Sequence, residues 1–173
     1  DTAAHEGDGV HTYFPHRLTH YTQDRAANTL RAWMERTPTG DAATLDFAET
    51  MVTELGLGRD ASVDLLAVSV SQTDAVGHEY GPFSREQLDN LYRLDRRLGT
   101  FFEFLDRTVG EDKYIVALSA DHGVMTPPED PRAISGARRL TAAERVAMQQ
   151  IVAQAISSGD GDAPSRIVEQ LKR

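Results

Sequence analysis

Two short apolar segments, separated by one amphipathic stretch, constrain the fold of this 173-residue chain more than any other feature. Residues 63–70 and 114–119 are nearly continuous runs of apolar side chains, which is the pattern of strands covered on both faces. Between them, Leu and Phe recur at spacings of three and four from Leu88 to Leu105, as on an amphipathic helix. Strand, helix and strand in this order predict a βαβ unit with parallel strands and a right-handed crossover.

The expected fold class is therefore α/β, with a mainly parallel sheet that is flanked by helices. Further helices are predicted at 23–35 and 41–55, and a last substantial helix begins near Thr141. Two strands are fewer than the about five or six of a typical sheet. Either weak strands lie within the predicted loops or, as we expect, the sheet is incomplete in this chain and its other strands belong to sequence that lies elsewhere.

Two of the predicted helix starts carry a capping-box pattern, in which Ser or Thr is followed three residues later by Gln or Glu. Ser84 with Gln87 precedes the amphipathic helix, and Thr141 with Glu144 precedes the last helix. Each pattern predicts a helix that begins at a defined residue.

Composition excludes several classes of function. Asp and Glu outnumber Lys and Arg by 27 to 18, and a net charge of −9 argues against a partner bound through a nucleic-acid backbone. The chain has no Cys, so that any metal must be held by His and carboxylate groups. No apolar run approaches the roughly 18 residues of a membrane span. The sequence indicates no particular oligomeric state.

An Asp and a His follow each of the two apolar segments. Asp74 and His78 come shortly after the first segment, and Asp121 and His122 follow the second almost at once. Because ligands bind beyond the carboxyl ends of parallel strands, both pairs are expected at the functional edge of the sheet. Gly77 and Gly123, which flank the histidines, are expected to allow tight backbone turns there. Asp and His are ligands of Zn²⁺, and the two pairs predict half of a two-metal site.

The sequence around these residues resembles a known family. Residues 65–82 and 120–123 resemble the type I phosphodiesterase/nucleotide pyrophosphatase family of the alkaline phosphatase superfamily, and they are most similar to the PafA-like bacterial alkaline phosphatases. Residues 37–40, 45–47 and 91–95 also fit that subgroup. The likeness extends from about Phe14 to Met125 and then fades.

The resemblance implies an alkaline-phosphatase-like fold and metal-dependent hydrolysis of small-molecule phosphate esters, either diesters, nucleotide pyrophosphates or monoesters. It implies two divalent metal ions, expected to be Zn²⁺. Asp74 and His78 match two ligands of one ion, and Asp121 and His122 match two ligands of the other. It also implies a bacterial protein of the periplasm or the secreted fraction.

Several parts of the family's site cannot be placed in this chain. They are a further Asp, a late His and the Thr or Ser nucleophile that would form the phosphoenzyme, so no catalytic residue is assigned here. We therefore expect residues 1–173 to be a fragment of the catalytic domain that carries part of both metal sites and is inactive alone. Residues 1–22 are expected to be irregular, 23–126 to form the core with the ligand motifs, and 127–173 to form an insertion-like helical segment.

Other functions stay open on the sequence alone. One alternative keeps the superfamily but changes the reaction, as in a sulfatase or a cofactor-independent phosphoglycerate mutase. Another is a non-catalytic binding module. The early histidines (His5, His11, His16, His20) are too irregularly spaced to predict a metal tract, and His16 is expected either near the mouth of the active site or on the surface.

Overall fold

The computed structural model describes residues 13–17, 29–157, 165 and 167–169. It contains α1 (Thr29–Glu35), α2 (Thr39–Leu55), α3 (Gln72–Tyr80), α4 (Arg85–Thr108) and α5 (Ala142–Ser157). The chain divides into two compact units, Asp1–Ala133 with α1 to α4 and Ile134–Arg173 with α5. In the part of the chain that is described, none of the helices has the length and apolar character to cross a membrane.

The core of the first unit lies where α2 and α4 pack together. Leu45 and Ala48 of α2 are buried against Phe101 of α4. This contact explains why apolar residues recur at spacings of three and four, because the apolar stripe of α2 packs on the apolar stripe of α4. Partly buried apolar side chains surround the cluster: Leu66, Val68, Val70, Leu94, Leu98, Phe102, Phe104 and Leu105.

The two predicted strands are not formed within the described ranges. Residues 63–70 and 114–119 have no strand assignment, because no described segment lies beside them to exchange backbone hydrogen bonds. The prediction that both faces are covered is also wrong, since Leu65 is 92% exposed and Ile115 is 98% exposed. Alternate residues of the first segment still face the helical core, as in a strand that is covered on one face only.

A second difference concerns the residues that follow the first apolar segment. They form the helix α3 and not a turn. Val76 and Tyr80, one turn apart, are both about 1% exposed and fix the buried side of α3. Gly77 and Gly123 do not have positive φ angles, so that the predicted reason for these glycines, a tight backbone turn, is wrong. Gly77 lies inside the helix.

The helices α2, α4 and α5 lie where the sequence predicted them. The end of α2 is set by Gly56, whose left-handed conformation (φ 64°, ψ 33°) lets its N–H bond to Val52 O. Residues 23–28 of the first predicted helix, and most of residues 158–173 in the predicted insertion-like segment, lie outside the described residues. The division of the chain at residues 22 and 126 stays a prediction.

Both predicted capping patterns contribute hydrogen bonds. Ser84 Oγ accepts from Gln87 N at 3.1 Å, which begins α4. Thr141 and Glu144 form the full reciprocal box: Thr141 N donates to Glu144 Oε2 at 2.7 Å, and Glu144 N donates to Thr141 Oγ1 at 3.2 Å. Glu144 also accepts two hydrogen bonds from the guanidinium of Arg138, at 2.6 and 2.9 Å. The start of α5 therefore depends on the ionised form of Glu144.

We expect the start of α5 to loosen in acid. The hydrogen bonds from Arg138, and then those from Thr141, lower the pKa of Glu144 from 4.5 to about 2. Because the folded-state pKa lies below the unfolded one, this contribution to stability is present above about pH 4.5 and is lost as the pH falls towards 2. Carboxyl-carbon NMR of Glu144 measures the midpoint. Arg138→Gln is expected to raise it, whereas Arg139→Gln, which removes the same charge beside it, leaves it unchanged. A wild-type midpoint near 4.5 would contradict the prediction.

Candidate metal centre

The helix α3 places the first predicted pair on one exposed face. Asp74 and His78 are one turn apart, and their side chains meet with Asp74 Oδ1 3.3 Å from His78 Nε2. Both side chains are open to solvent. The helical spacing, and not a turn after a strand, is therefore what brings this carboxylate and imidazole together.

The second predicted pair lies in the irregular segment after residue 119. His122 N donates to Asp121 Oδ1 at 3.1 Å. His122 Nδ1 lies 3.1 Å from Gly123 O, and because a carbonyl can only accept, Nδ1 carries the proton in this hydrogen bond. In the neutral form of this tautomer the lone pair is on Nε2, which lies 3.5 Å from Asp121 Oδ2.

The two pairs meet at Asp74. His122 Nε2 is 4.0 Å from Asp74 Oδ1, so that this carboxylate lies between the imidazoles of His78 and His122. All four residues predicted as metal ligands, Asp74, His78, Asp121 and His122, thus form one connected group. We call these four residues the candidate metal centre.

Gly77 explains how the two pairs approach each other. A Cβ atom at this position would lie 2.7 Å from Val124 Cγ2 and 3.0 Å from Val124 Cγ1, closer than side chains tolerate. The absence of a side chain on α3 therefore lets the segment with Asp121 and His122 lie against the helix. A Cβ at Gly123 would meet nothing within 4 Å.

The donor chemistry of the candidate metal centre fits a divalent ion, since carboxylate oxygens and imidazole nitrogens are zinc ligands. The geometry supplies less than a full coordination shell. No three of the His, Asp and Glu side chains that the structure describes are arranged to hold one ion.

Side chains of α4 fix the start of α3 and therefore the position of Asp74. Asn90, which is fully buried, donates through Nδ2 to Thr73 Oγ1 at 3.1 Å. Gln87 Nε2 donates to Thr73 O at 3.1 Å. The predicted capping box of α4 is thus only half formed, because the Gln87 side chain bonds to α3. Polar residues within the apolar stripe of α4 were the signal for this attachment in the sequence.

A carboxylate from α2 holds the same end of α3. Asp41 is 2% exposed, and its Oδ1 accepts from Gln72 N at 3.3 Å. Burial raises the pKa of the Asp41 carboxyl, while the backbone N–H groups of Gln72 and Ser71 oppose that rise. Asp41 therefore satisfies backbone donors at the first turn of α3, and sequence reasoning did not identify it.

His16 lies apart from the candidate metal centre. Its side chain is 5% exposed, its Nε2 is 3.0 Å from Glu86 Oε1, and its ring packs on Tyr80 with centroids 4.7 Å apart. The expectation of a surface position is therefore wrong. The other early histidines (His5, His11, His20) lie outside the described residues.

We expect Gly77→Ala to separate the two pairs without unwinding α3. A helix interior favours Ala over Gly by about 1 kcal/mol, so that the irregular segment at Val124 yields and not the helix. Nuclear Overhauser contacts between the Val124 methyl groups and α3 are expected to weaken, while far-UV circular dichroism stays unchanged. Gly123→Ala is the matched control and is expected to keep these contacts. Equal contacts in both variants would contradict the steric role of Gly77.

Comparison with known proteins places the chain in a family. Residues 1–167 match the family model of type I phosphodiesterase/nucleotide pyrophosphatase. The chain is 42% identical over 115 residues to the alkaline phosphatase PhoV of Synechococcus elongatus, a match that covers 66% of this chain and 20% of that protein. It is 46% identical over 87 residues to the alkaline phosphatase PafA of Elizabethkingia meningoseptica, which covers 50% of this chain and 16% of that protein.

A third alkaline phosphatase, PhoK of a Sphingomonas species, is 42% identical over 95 residues. The match covers 55% of this chain and 17% of that relative. The chain thus spans a fifth or less of the length of these curated relatives. No solved structure matches it. The family-model match covers nearly the whole sequence, and the chain therefore belongs to the type I phosphodiesterase/nucleotide pyrophosphatase family.

Proposed function

We propose that Asp74, His78, Asp121 and His122 bind divalent metal ions, Zn²⁺ in the intact enzyme, and that the site serves the hydrolysis of phosphate esters. The observation that carries this proposal is the approach of His122 Nε2 to within 4.0 Å of Asp74 Oδ1 from a separate segment. Membership of the family supports the reaction class, and the alkaline phosphatase relatives support a phosphate-ester substrate.

Each pair has a separate part in this proposal. Asp74 and His78 hold one ion from the exposed face of α3, and Asp121 and His122 hold the other. The Nδ1–H of His122, which bonds to Gly123 O, keeps Nε2 turned outward as a ligand. When bound, the two ions supply positive charge that neutralises the phosphoryl group and activates the nucleophile. This charge matters because the chain itself carries −9 and repels an anionic ester.

The nucleophile belongs to a part of the enzyme beyond this chain. It is a Thr or Ser hydroxyl that takes up the phosphoryl group. Hydrolysis of this phosphoenzyme then releases phosphate and restores the hydroxyl. A further Asp and a late His complete the two metal sites. The limited share of each relative that the chain matches supports this division of the site. Residues 1–173 are accordingly a fragment of one catalytic domain, with its core at 23–126 and an insertion-like segment at 127–173.

The two unpaired apolar segments fit the same proposal. Residues 63–70 and 114–119 become neighbouring strands of a mainly parallel sheet when the rest of the domain supplies their hydrogen-bond partners. Their exposed side chains, among them Leu65 and Ile115, are then covered by helices of that domain. The enzyme acts in the periplasm or outside the cell of a bacterium, as its family membership suggests.

Zinc binding to the 173-residue chain tests the open sites. We expect weak binding by calorimetry, because two donors for each ion leave the remaining coordination positions to water. Asp121→Asn and His78→Ala are each expected to weaken it further. Asp95→Asn, which changes a carboxylate on the exposed part of α4, is the control and is expected to have no effect. Nanomolar binding that is lost in His78→Ala would contradict the open-site arrangement.

Turnover tests the reaction class and the missing nucleophile. The 173-residue chain is expected to hydrolyse neither p-nitrophenyl phosphate nor its bis ester. A chain extended to the length of the relatives is expected to hydrolyse at least one, with kcat/KM lowered by about 100-fold or more in His78→Ala or Asp121→Asn. Enzyme-like rates in the 173-residue chain would contradict the fragment proposal. Full activity of the extended His78→Ala variant would contradict the assigned ligands.

A further inference from the structure

The segment after His122 lies along the C-terminal half of α3 and contacts this region at two glycines. A Cβ atom on Gly77 would lie 2.7 Å from Val124 Cγ2, and one on Gly81, just past the end of α3, would lie 3.3 Å from Pro127 Cδ. Each glycine therefore leaves room for a side chain of the segment. Because Val124 and Pro127 follow His122 closely in the chain, these contacts limit where the second pair can lie.

Two consecutive turns begin at Pro127, and a buried carboxylate closes them. Asp130 N donates to Pro127 O at 3.0 Å, and Ala133 N donates to Asp130 O at 2.9 Å. The Asp130 side chain is 6% exposed and accepts hydrogen bonds from Arg132 N at 2.8 Å, Nε at 2.9 Å and Nη2 at 2.6 Å. We call residues 127–133 the anchor turns. A buried carboxylate needs charged donors of this kind, so that the anchor turns depend on Arg132.

The guanidinium that pairs with Asp130 also lies on an aromatic ring. Arg132 Cζ is 4.4 Å from the centroid of the Phe83 ring, a distance at which the ring face attracts a cation. Phe83 lies in the short connection between Tyr80, the last residue of α3, and Arg85, the first residue of α4. Its ring is 59% exposed and does not belong to the core cluster. The contact therefore attaches the anchor turns to the corner between α3 and α4.

We infer that Arg132 is a positioning residue for the second pair, and that it holds this pair beside α3 through its contact with Phe83. The inference rests on the proposed function, in which the second pair binds an ion. Only residues 123–126 separate His122 from the anchor turns, and they belong to no helix or strand. The side chains of Asp121 and His122 are 90% and 57% exposed, so that they contribute little packing of their own. The position of the pair therefore depends on the contacts that follow it in the chain.

The first pair is held in a different way. Asp74 and His78 lie on α3, and the buried side chains of Asn90 and Gln87 attach the start of that helix to α4. None of these hydrogen bonds involves the anchor turns. Loss of the Arg132 side chain is therefore expected to move one pair of ligands and to leave the other in place, which a general loss of stability would not do.

Zinc titration of the chain extended to the length of the relatives, against a competing chelator, tests the inference. Arg132→Gln leaves the buried Asp130 carboxylate without its charged partner, and the affinity for one of the two ions is expected to fall by about tenfold or more. The affinity for the other ion is expected to stay as in the wild type. Arg107→Gln removes the same charge near the far end of α4 and is the matched control, which is expected to change neither affinity. Equal losses for both ions in Arg132→Gln would overturn the inference.

Substitution of the ring tests the contact without disturbing the buried carboxylate. Phe83→Leu keeps the pair of Arg132 with Asp130, and it is expected to fold because Phe83 is exposed. The affinity for the same ion is expected to fall by about threefold, as for the loss of an exposed cation–π contact. Phe83→Tyr keeps the ring face and is expected to bind both ions as the wild type does. Phe47→Leu, which changes a similarly exposed Phe on α2, is the matched control. Unchanged affinity in Phe83→Leu would overturn the inference.

A measurement without metal separates this inference from the proposed function. In the 173-residue chain, nuclear Overhauser contacts between the Val124 methyl groups and α3 are expected to weaken in Arg132→Gln and in Phe83→Leu, and to stay unchanged in Arg107→Gln. Unchanged contacts in Arg132→Gln would overturn the inference and leave the proposed function unaffected. An extended wild-type chain that retains no zinc would overturn the proposed function, whereas weakened contacts in the two variants would still support the effect of Arg132 on the position of the second pair.

Discussion

The attachment of α3 to α4 through Thr73 is the interaction on which the rest of this structure depends. Thr73 accepts hydrogen bonds from the buried side chains of Asn90 and Gln87, one through its hydroxyl and one through its carbonyl. A buried amide that loses its partner costs about 1–3 kcal/mol, which holds α3 in one register against α4. Asp74 is the next residue after this attachment, and His78 follows one turn later.

The two sides of α3 have opposite physical character. On the side of Asp74 and His78 the polar side chains are open to solvent. On the side of Tyr80, Glu86 Oε2 and Trp33 Nε1 are buried and have no hydrogen-bond partner in the described part of the chain. One short helix thus separates a solvated polar face from a buried one.

The apolar segments at 63–70 and 114–119 have the sequence pattern of strands but no neighbouring strand in the described part of the chain. A helix makes its backbone hydrogen bonds within itself, so that α2 and α4 form without a neighbouring strand. They pack together through their apolar stripes. Strands need a neighbour for every hydrogen bond, and no described segment supplies one. Leu66, Val68 and Val70 nonetheless face the helical core, which is the alternation expected of a strand. The sequence predicted strands covered on both faces and did not predict this alternation, and within the described residues both segments are unpaired and partly exposed.

By itself the sequence singled out the candidate residues Asp74, His78, Asp121 and His122, because Asp and His after apolar segments and the surrounding motifs are local patterns. It also determined the helices α2, α4 and α5 and the capping residues Ser84 and Thr141, since capping and helical periodicity act over a few residues. Only the tertiary structure decided that Asp74 and His78 lie on a helix, that Gly77 admits Val124, and that Asn90 and Asp41 hold the start of α3. These contacts join residues that are distant in sequence, and packing and burial select them only when the segments meet.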